Sequence, residues 1–451
     1  MLKEQNKKTN ILKNSLNWFF LTFLLLFINR SNDFNSDEGV ILGGAWRIIN
    51  GEKLYLDFFE FVGPMNFWLL ASWWKIFPQN YYSAWTMSII ILLFSTWGIK
   101  KLSEAHGLKN NWTPAYLFVL STIFWPIINH NSFVICFIVW GSYFIIRQKN
   151  KKDFILSGFF AGLSIITLQH RGVALFFYQV FNIIKNKVFL KQKTTWLYLL
   201  SLTLVITLVV IKIPPNILWD SLIVFPSQNY LAVNKISKIT WLIFLIIFIS
   251  LFFIIKKRKW GEKTNELFFL QLILSVSILS RPDISHIMQI AWPSFIIIGL
   301  IVNNIIFKNN FIKRIFYFLL YYFCFCLIIF YYIKLGLSFD RPDLKKEVDR
   351  FCPEEIIYAG PFMPGLYFEL KKKNPTPYGI LVTNHQTEEQ IKEAAEKIEQ
   401  NPPLCAIINY QMVNKFKHNI NNPVDIFILN NYETIKTLNN HLFIMRKYNQ
   451  D

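Results

Sequence analysis

Apolar and polar residues alternate in long blocks along this chain. A polar start carrying Lys3, Lys7, Lys8 and Lys13 gives way to an apolar run at 16–28. Further apolar segments cover 81–99, 112–128, 133–146, 154–168, 173–184, 195–213, 239–255, 267–279, 287–306 and 315–333. A bilayer core takes roughly 20 apolar residues per helix, so these blocks predict about eleven transmembrane helices. The shorter ones are expected to extend into polar flanks or a thinned region. The first run has the charged lead of a signal peptide, but Asn29-Arg30-Ser31 offers no small-residue cleavage site. It is therefore expected to stay as a first helix with its N-terminus inside. The segment 65–77 is shorter still and is expected to be interfacial or re-entrant, because counting it as a span spoils the charge pattern.

That pattern is regular. Starting inside, the loops predicted as cytoplasmic hold Lys100, Lys101 and Lys109, then the basic clusters at 147–152, 185–193, 256–263 and 308–314. Loops predicted outside hold few basic residues, as the positive-inside rule requires. The segments 30–64, 129–131, 169–172, 214–238 and 281–286 then face one compartment, together with everything from about Leu335 onward. This parity brings the polar residues of most interest to the same membrane face. The 214–238 segment, with Trp219, Asp220 and Tyr230, reads as an outer flap or a connector, and Asn129-His130-Asn131 as a turn.

Composition narrows the class. With 53% hydrophobic and only 17% charged residues, the chain does not read as a set of soluble domains. A formal net charge of +19 would suit nucleic acid, but the cations sit in short clusters between apolar blocks, which excludes that partner. Of five cysteines, Cys136, Cys324 and Cys326 lie in apolar segments; Cys352 and Cys405 fall in the C-terminal region, where an extracytoplasmic location permits a disulfide.

The C-terminal region is charged and punctuated by proline. Short strands are expected at 355–359, 380–383, 405–409 and 425–429, and a helix at 387–400 with Thr387 as N-cap and Gln390 three residues on. The fold class is thus mainly α: a polytopic helical bundle at 1–334 with its first outer loop at 30–64, followed by a small extracytoplasmic α/β domain at 335–451. The chain has no Walker-type or dinucleotide loop, and no metal-ligand spacing, so neither a cofactor nor an obligatory metal is predicted.

Chemistry concentrates in the first outer loop. Asp37-Glu38 follows the first span, a short helix runs to Ile49, and Gly51-Glu52-Lys53 leads into Tyr55-Leu56-Asp57 and Gly63-Pro64. A part-buried acid there can serve as a general base, since desolvation tunes its proton affinity; acids also favour helix N-termini for purely structural reasons.

One N-terminal span, Asp-Glu, a short helix, Gly-x-x-x-Tyr-x-Asp, and Gly-Pro before an aromatic run resemble the GT-C glycosyltransferases. The resemblance is nearest to the branch holding protein O-mannosyltransferases and aminoarabinose-lipid A transferases. Residues 362–368 and Asn374-Pro375-Thr376-Pro377 resemble the start of the outer domain in bacterial members. The resemblance implies a hexosyl- or pentosyltransferase of the inner membrane. Its donor would be a polyprenyl-phosphate sugar and its acceptor an unknown glycan, lipid or protein, with inversion at the anomeric carbon. It assigns the base to Asp37, beside Glu38; the residues alone leave Asp57 open as well.

One departure is plain: several relatives carry a Lys just before the proline pair, whereas this chain has Val62-Gly63-Pro64. Another cation must then meet a lipid phosphate. Gln169-His170-Arg171-Gly172 and Arg281-Pro282-Asp283 with His286 supply the candidates. An Arg near membrane depth usually faces a cavity or partner, and its planar fork suits phosphate. Arg171 and Arg281 could equally snorkel to headgroups, and Arg281 could pair with Asp283. Rival functions are a flippase for lipid-linked saccharides, a non-catalytic envelope assembly protein, and an O-antigen-type ligase or polymerase. The first is opposed by the lack of an inverted repeat.

Overall fold

The computed structural model describes residues 2–29, 34, 36–108, 111–186, 192–230, 262–279, 281, 283–305, 342–411, 413–439 and 441–448, with the isolated positions 315, 322, 326 and 329. The segment expected at 239–255, most of that at 315–333, most of the basic loops at 256–263 and 308–314, and Cys324 lie outside the described residues.

The first half is helical: α1 (Leu2–Ile28), α2 (Asp37–Ile49), α3 (Met65–Trp74), α4 (Tyr81–Ala105), α5 (Thr113–Ser121), α6 (His130–Arg147), α7 (Lys151–Thr167), α8 (Gln169–Lys185) and α9 (Gln192–Val210). After the short α10 (Pro215–Trp219) come α11 (Glu262–Val276), α12 (Ile284–Ile290) and α13 (Trp292–Ile305). Among the described residues three helices are long and apolar enough to cross a bilayer: α4, α6 and the Lys193–Val210 part of α9. The pair Ile284–Ile290 and Trp292–Asn303, bent by 61°, makes a fourth if taken as one span. Pro293 accounts for the break, since it has no N–H to continue the ladder from α12.

Asparagine caps start the long helices where the sequence turns apolar. Asn80, Asn129 and Asn150 accept from the backbone N–H of Ser83, Ser132 and Asp153, satisfying donors that no carbonyl can reach. Helix α7 packs on α9 through Gly158 and Gly162, four residues apart. A Cβ at Gly158 would strike the Tyr198 carbonyl, and one at Gly162 would strike Val205. Small residues at this spacing let the two helix backbones approach closely, which adds dispersion contacts.

The C-terminal part holds α14 (Pro342–Phe351), β1 (Tyr358–Pro361), α15 (Leu366–Leu370), α16 (Glu388–Gln400), β2 (Cys405–Asn409), α17 (Pro423–Asn431), β3 (Tyr432–Asn439) and β4 (Leu442–Lys447). The sheet order is β1-β2-β4-β3, with β1 parallel to β2 and the other pairs antiparallel. Strand β2 and helix α16 fall where the sequence predicts, the latter with its reciprocal Thr387–Gln390 capping box. Two expected strands are corrected. The 425–429 run is helical within α17, because Asn422 accepts from Val424 and Asp425 N–H and Pro423 opens the first turn; these cap signals override the apolar alternation. Residues 380–383 form only isolated bridges, Phe362 with Ile380 and Thr383 with Gln386. Cys352 and Cys405, both fully buried, form a disulfide that ties the end of α14 to β2, their Cα atoms 5.7 Å apart.

Candidate active site

The first loop is shaped by contacts along its whole length. Glu38, fully buried, accepts from the Tyr81 hydroxyl at 3.1 Å and the Ile128 N–H at 3.0 Å, so it fixes the start of α2 rather than facing a ligand. Asn66, also fully buried, donates to the Gly63 and Thr167 carbonyls at 2.9 and 2.7 Å, which pins the Gly63-Pro64 corner to the end of α7. The Tyr55 hydroxyl donates to the Val62 carbonyl. From the other side the C-terminal part closes on α2. The Gly365 N–H donates to the Phe34 carbonyl at 3.0 Å, Trp46 Nε1 to the Lys372 carbonyl at 3.3 Å, and Phe59 N–H to the Pro377 carbonyl at 3.0 Å. Gly39 lies against the Gly365 backbone so closely that no side chain fits between them.

Asp37 is thereby placed in the wall of a cavity of 540 Å³. The cavity is also lined by Phe61 and Val62, by His130 and Asn131 at the start of α6, by Leu168 to His170 at the start of α8, by the 222–227 segment, and by Arg281 and His286. The first turns of α2, α6 and α8 all contribute to this cavity, and the positive ends of helix dipoles favour an anion. Among the described residues no hydrogen bond or ion pair engages the Asp37 carboxylate.

Of the residues singled out in the sequence, Asp37, His170, Arg281 and His286 converge on this cavity. Asp283 clamps two of them: its Oδ2 takes the Arg281 Nε–H at 3.0 Å and its Oδ1 lies 2.8 Å from His286 Nδ1. Burial alone would raise the Asp283 carboxyl, but the His286 hydrogen bonds and the Arg281 charge outweigh it and hold it at about 2. The clamp is therefore ionised at any physiological pH. Arg171 sits just behind the wall, fully buried, with both terminal nitrogens 3.5 Å from Gln289 Oε1 and no partner for Nε. Asp57 is elsewhere: it is exposed and accepts from the Lys53 N–H in a surface turn.

His130 is the cavity residue that the sequence reading passed over as part of a turn. It lies within electrostatic reach of Asp37, Arg171, Arg281 and His286 together. The usable signal was Asn129: as an N-cap it puts the next residue in the first turn of α6, beside the other loop residues that the charge pattern groups together.

Glu60 was also passed over. It is buried at 9% exposure and borders a second cavity of about 20 Å³ between α2 and the C-terminal part, with Arg47 and Lys372. That space holds about one water, so no acceptor enters it and Glu60 is not a rival base. Burial, only partly offset by Arg47, raises its carboxyl to about 8 from 4.5. Between those values the folded state binds more protons than the unfolded state, so stability falls as pH rises across the window. Glu60→Gln removes this titration. Its melting temperature is expected to exceed wild type at pH 8 and to lose the decline between about pH 4.5 and 8; a slope unchanged in the variant refutes the assignment.

No protein-family model and no curated protein matches the sequence. Two solved structures do match in fold. ArnT from Cupriavidus metallidurans bound to undecaprenyl phosphate superposes with a TM-score of 0.63 at 10% identity, covering 97% of this chain and 98% of that one. The same protein in the apo state gives 0.60 at 11% identity with the same coverage. Identity this low speaks for the fold alone. The chain has the ArnT fold over almost its entire length, so the GT-C resemblance carried by the first loop extends to the whole architecture.

Proposed function

We propose that this protein is an integral membrane glycosyltransferase that moves a sugar from a polyprenyl-phosphate donor to an acceptor at the extracytoplasmic face. The observation that carries the reading is the single cavity lined by Asp37, Arg281 and three histidines, to which the first turns of three helices contribute. A solved structure of like fold holds undecaprenyl phosphate, which fits the charge that this cavity attracts.

In the proposed reaction Asp37 takes the proton of an acceptor hydroxyl. Its oxygen bonds to the anomeric carbon from the face opposite the leaving group, the carbon–oxygen bond to phosphate breaks, and the centre inverts. Negative charge grows on the departing lipid phosphate, where Arg281, Arg171 behind it and the helix N-termini stabilise it. With Val62 in place of a lysine, these groups stand in for the missing first-loop cation. The topology we propose has about eleven spans, an inside N-terminus, residues 1–334 as membrane domain and 335–451 as outer domain. The Cys352–Cys405 disulfide supports the outward placement, since such bonds persist in oxidising compartments.

The test is release of polyprenyl phosphate, with transfer of label, when the purified protein in lipid is given polyprenyl-phosphate pentoses and hexoses. Release that depends on the protein is the expected result. Movement of intact donor across the bilayer without cleavage would replace this reading with the flippase.

A further inference from the structure

The outer domain carries a third cavity, of 660 Å³, that the proposed chemistry does not use. It lies between the first turns of α16 and the loop leading into α17. Neutral amide and hydroxyl side chains dominate its walls, among them Asn229, Asn384, Thr387, Asn419 and Asn421. Its charged lining is two carboxylates, Glu388 and Glu389, against one ammonium, Lys392.

The cleft is built on a buried frame. His418 Nε2 and Asp425 Oδ2 lie 2.8 Å apart with both side chains 1% exposed, and His418 Nδ1 accepts the Thr383 N–H at 3.1 Å. Asn419 N–H donates to Thr383 Oγ1 at 2.6 Å, and Asn384 Nδ2 donates to the Phe416 and Lys417 carbonyls. These bonds set the two walls at a fixed spacing, which is what a recognition site needs.

One helical stretch borders both the cleft and the Asp37 cavity. Residues 222–227 line that cavity, and Asn229, in the same helical stretch, lines the cleft. Between them Phe225 packs edge-on against Phe59 and tilted against Phe61, and His385 packs on Phe61 and Phe416.

We propose that this cleft holds the distal saccharide of a neutral glycan acceptor while its reactive hydroxyl reaches Asp37; this rests on the transferase reading. Sugar hydroxyls donate and accept at once, as amides and hydroxyls do, so neutral walls match them without stranding a charge. The surplus carboxylate disfavours phosphorylated or other strongly anionic glycans. An extended peptide would look for a free strand edge or apolar pockets, whereas helix starts and loops form this cleft.

The experiment measures binding without turnover. Full-length protein in nanodiscs is titrated with a panel of short neutral oligosaccharides, their phosphorylated counterparts and an unglycosylated peptide. Asn421→Trp and Lys392→Trp, at exposed positions on opposite walls, fill the cleft. Binding of a neutral oligosaccharide, weakened at least tenfold by either variant and unchanged by Asp57→Asn, is the expected outcome. Binding of no neutral member, affinity indifferent to both tryptophans, or preference for the anionic glycan or the peptide overturns it. Sugar transfer without cleft binding defeats this inference alone, and cleft binding without transfer defeats only the transferase reading.

Discussion

Asp37→Asn is expected to lower sugar transfer by about 10²–10⁴-fold, the usual contribution of a positioned general base. The substitution keeps size and shape. It leaves α2 capped and buried as before, because Glu38 and the Gly39–Gly365 contact hold that helix, not Asp37. What it removes is the one feature the reaction requires at that point, an acceptor for the hydroxyl proton. Donor affinity should therefore stay near wild type, or rise slightly as a repelling charge beside the phosphate disappears. Asp57→Asn is the matched control: an exposed carboxylate closing a surface turn should leave transfer within about twofold. Label transfer at equal protein levels decides it. Full activity in Asp37→Asn would remove the base from the mechanism, whatever becomes of the donor site.

The second large effect concerns Arg171, and it has two opposite signs. Among the described residues this fully buried guanidinium has no ion-pair partner, and its contacts to Gln289 are long. Asp283 acts on it only at a distance, and a buried cation without direct pairing costs several kcal/mol. Arg171→Leu is accordingly expected to raise the melting temperature of the ligand-free protein. The same change should weaken donor binding: two unit charges ~8 Å apart at an effective dielectric of ~20 interact by ~2 kcal/mol, which sets the scale of the expected loss at about thirtyfold in affinity. Thermal melting and donor binding measured on one preparation test both signs. A lowered melting point would mark Arg171 as structural, and unchanged affinity would take it out of the phosphate site.

Much of this architecture is written in local sequence. The asparagine caps, the long apolar blocks and the Thr387–Gln390 pair are short-range signals, and they mark α4, α6, α7 and α16 without tertiary help. Asp37, His170, Arg281 and His286 could be grouped because span parity put their loops on one side. Parity says nothing of depth or direction, however. It could not tell that Glu38 turns inward to Tyr81 and Ile128 while its neighbour faces the cavity, nor that Arg171 stops behind the wall while Arg281 reaches it. Asp37 and Asp57 look alike in a list of loop acids; only the packing of α2 separates them. The 425–429 run misled because its apolar alternation was weighed above Asn422-Pro423, a cap pair with a direct steric and hydrogen-bonding meaning. The β3–β4 hairpin went unanticipated because its partners are defined by the sheet they join.

The contacts of Phe34, Gly39, Trp46 and Phe59 with residues 365–377 bear on the order in which the protein is made. The ribosome delivers the Asp37 loop early and the segment that shapes it more than 300 residues later. A nascent or prematurely terminated chain would hold the residues that line the Asp37 cavity but lack the segment that packs against α2 and steadies its first turn. Under the proposed function, unfinished copies would hold Asp37 less firmly, so full transfer is expected only after the C-terminal segment has been made and has docked on α2.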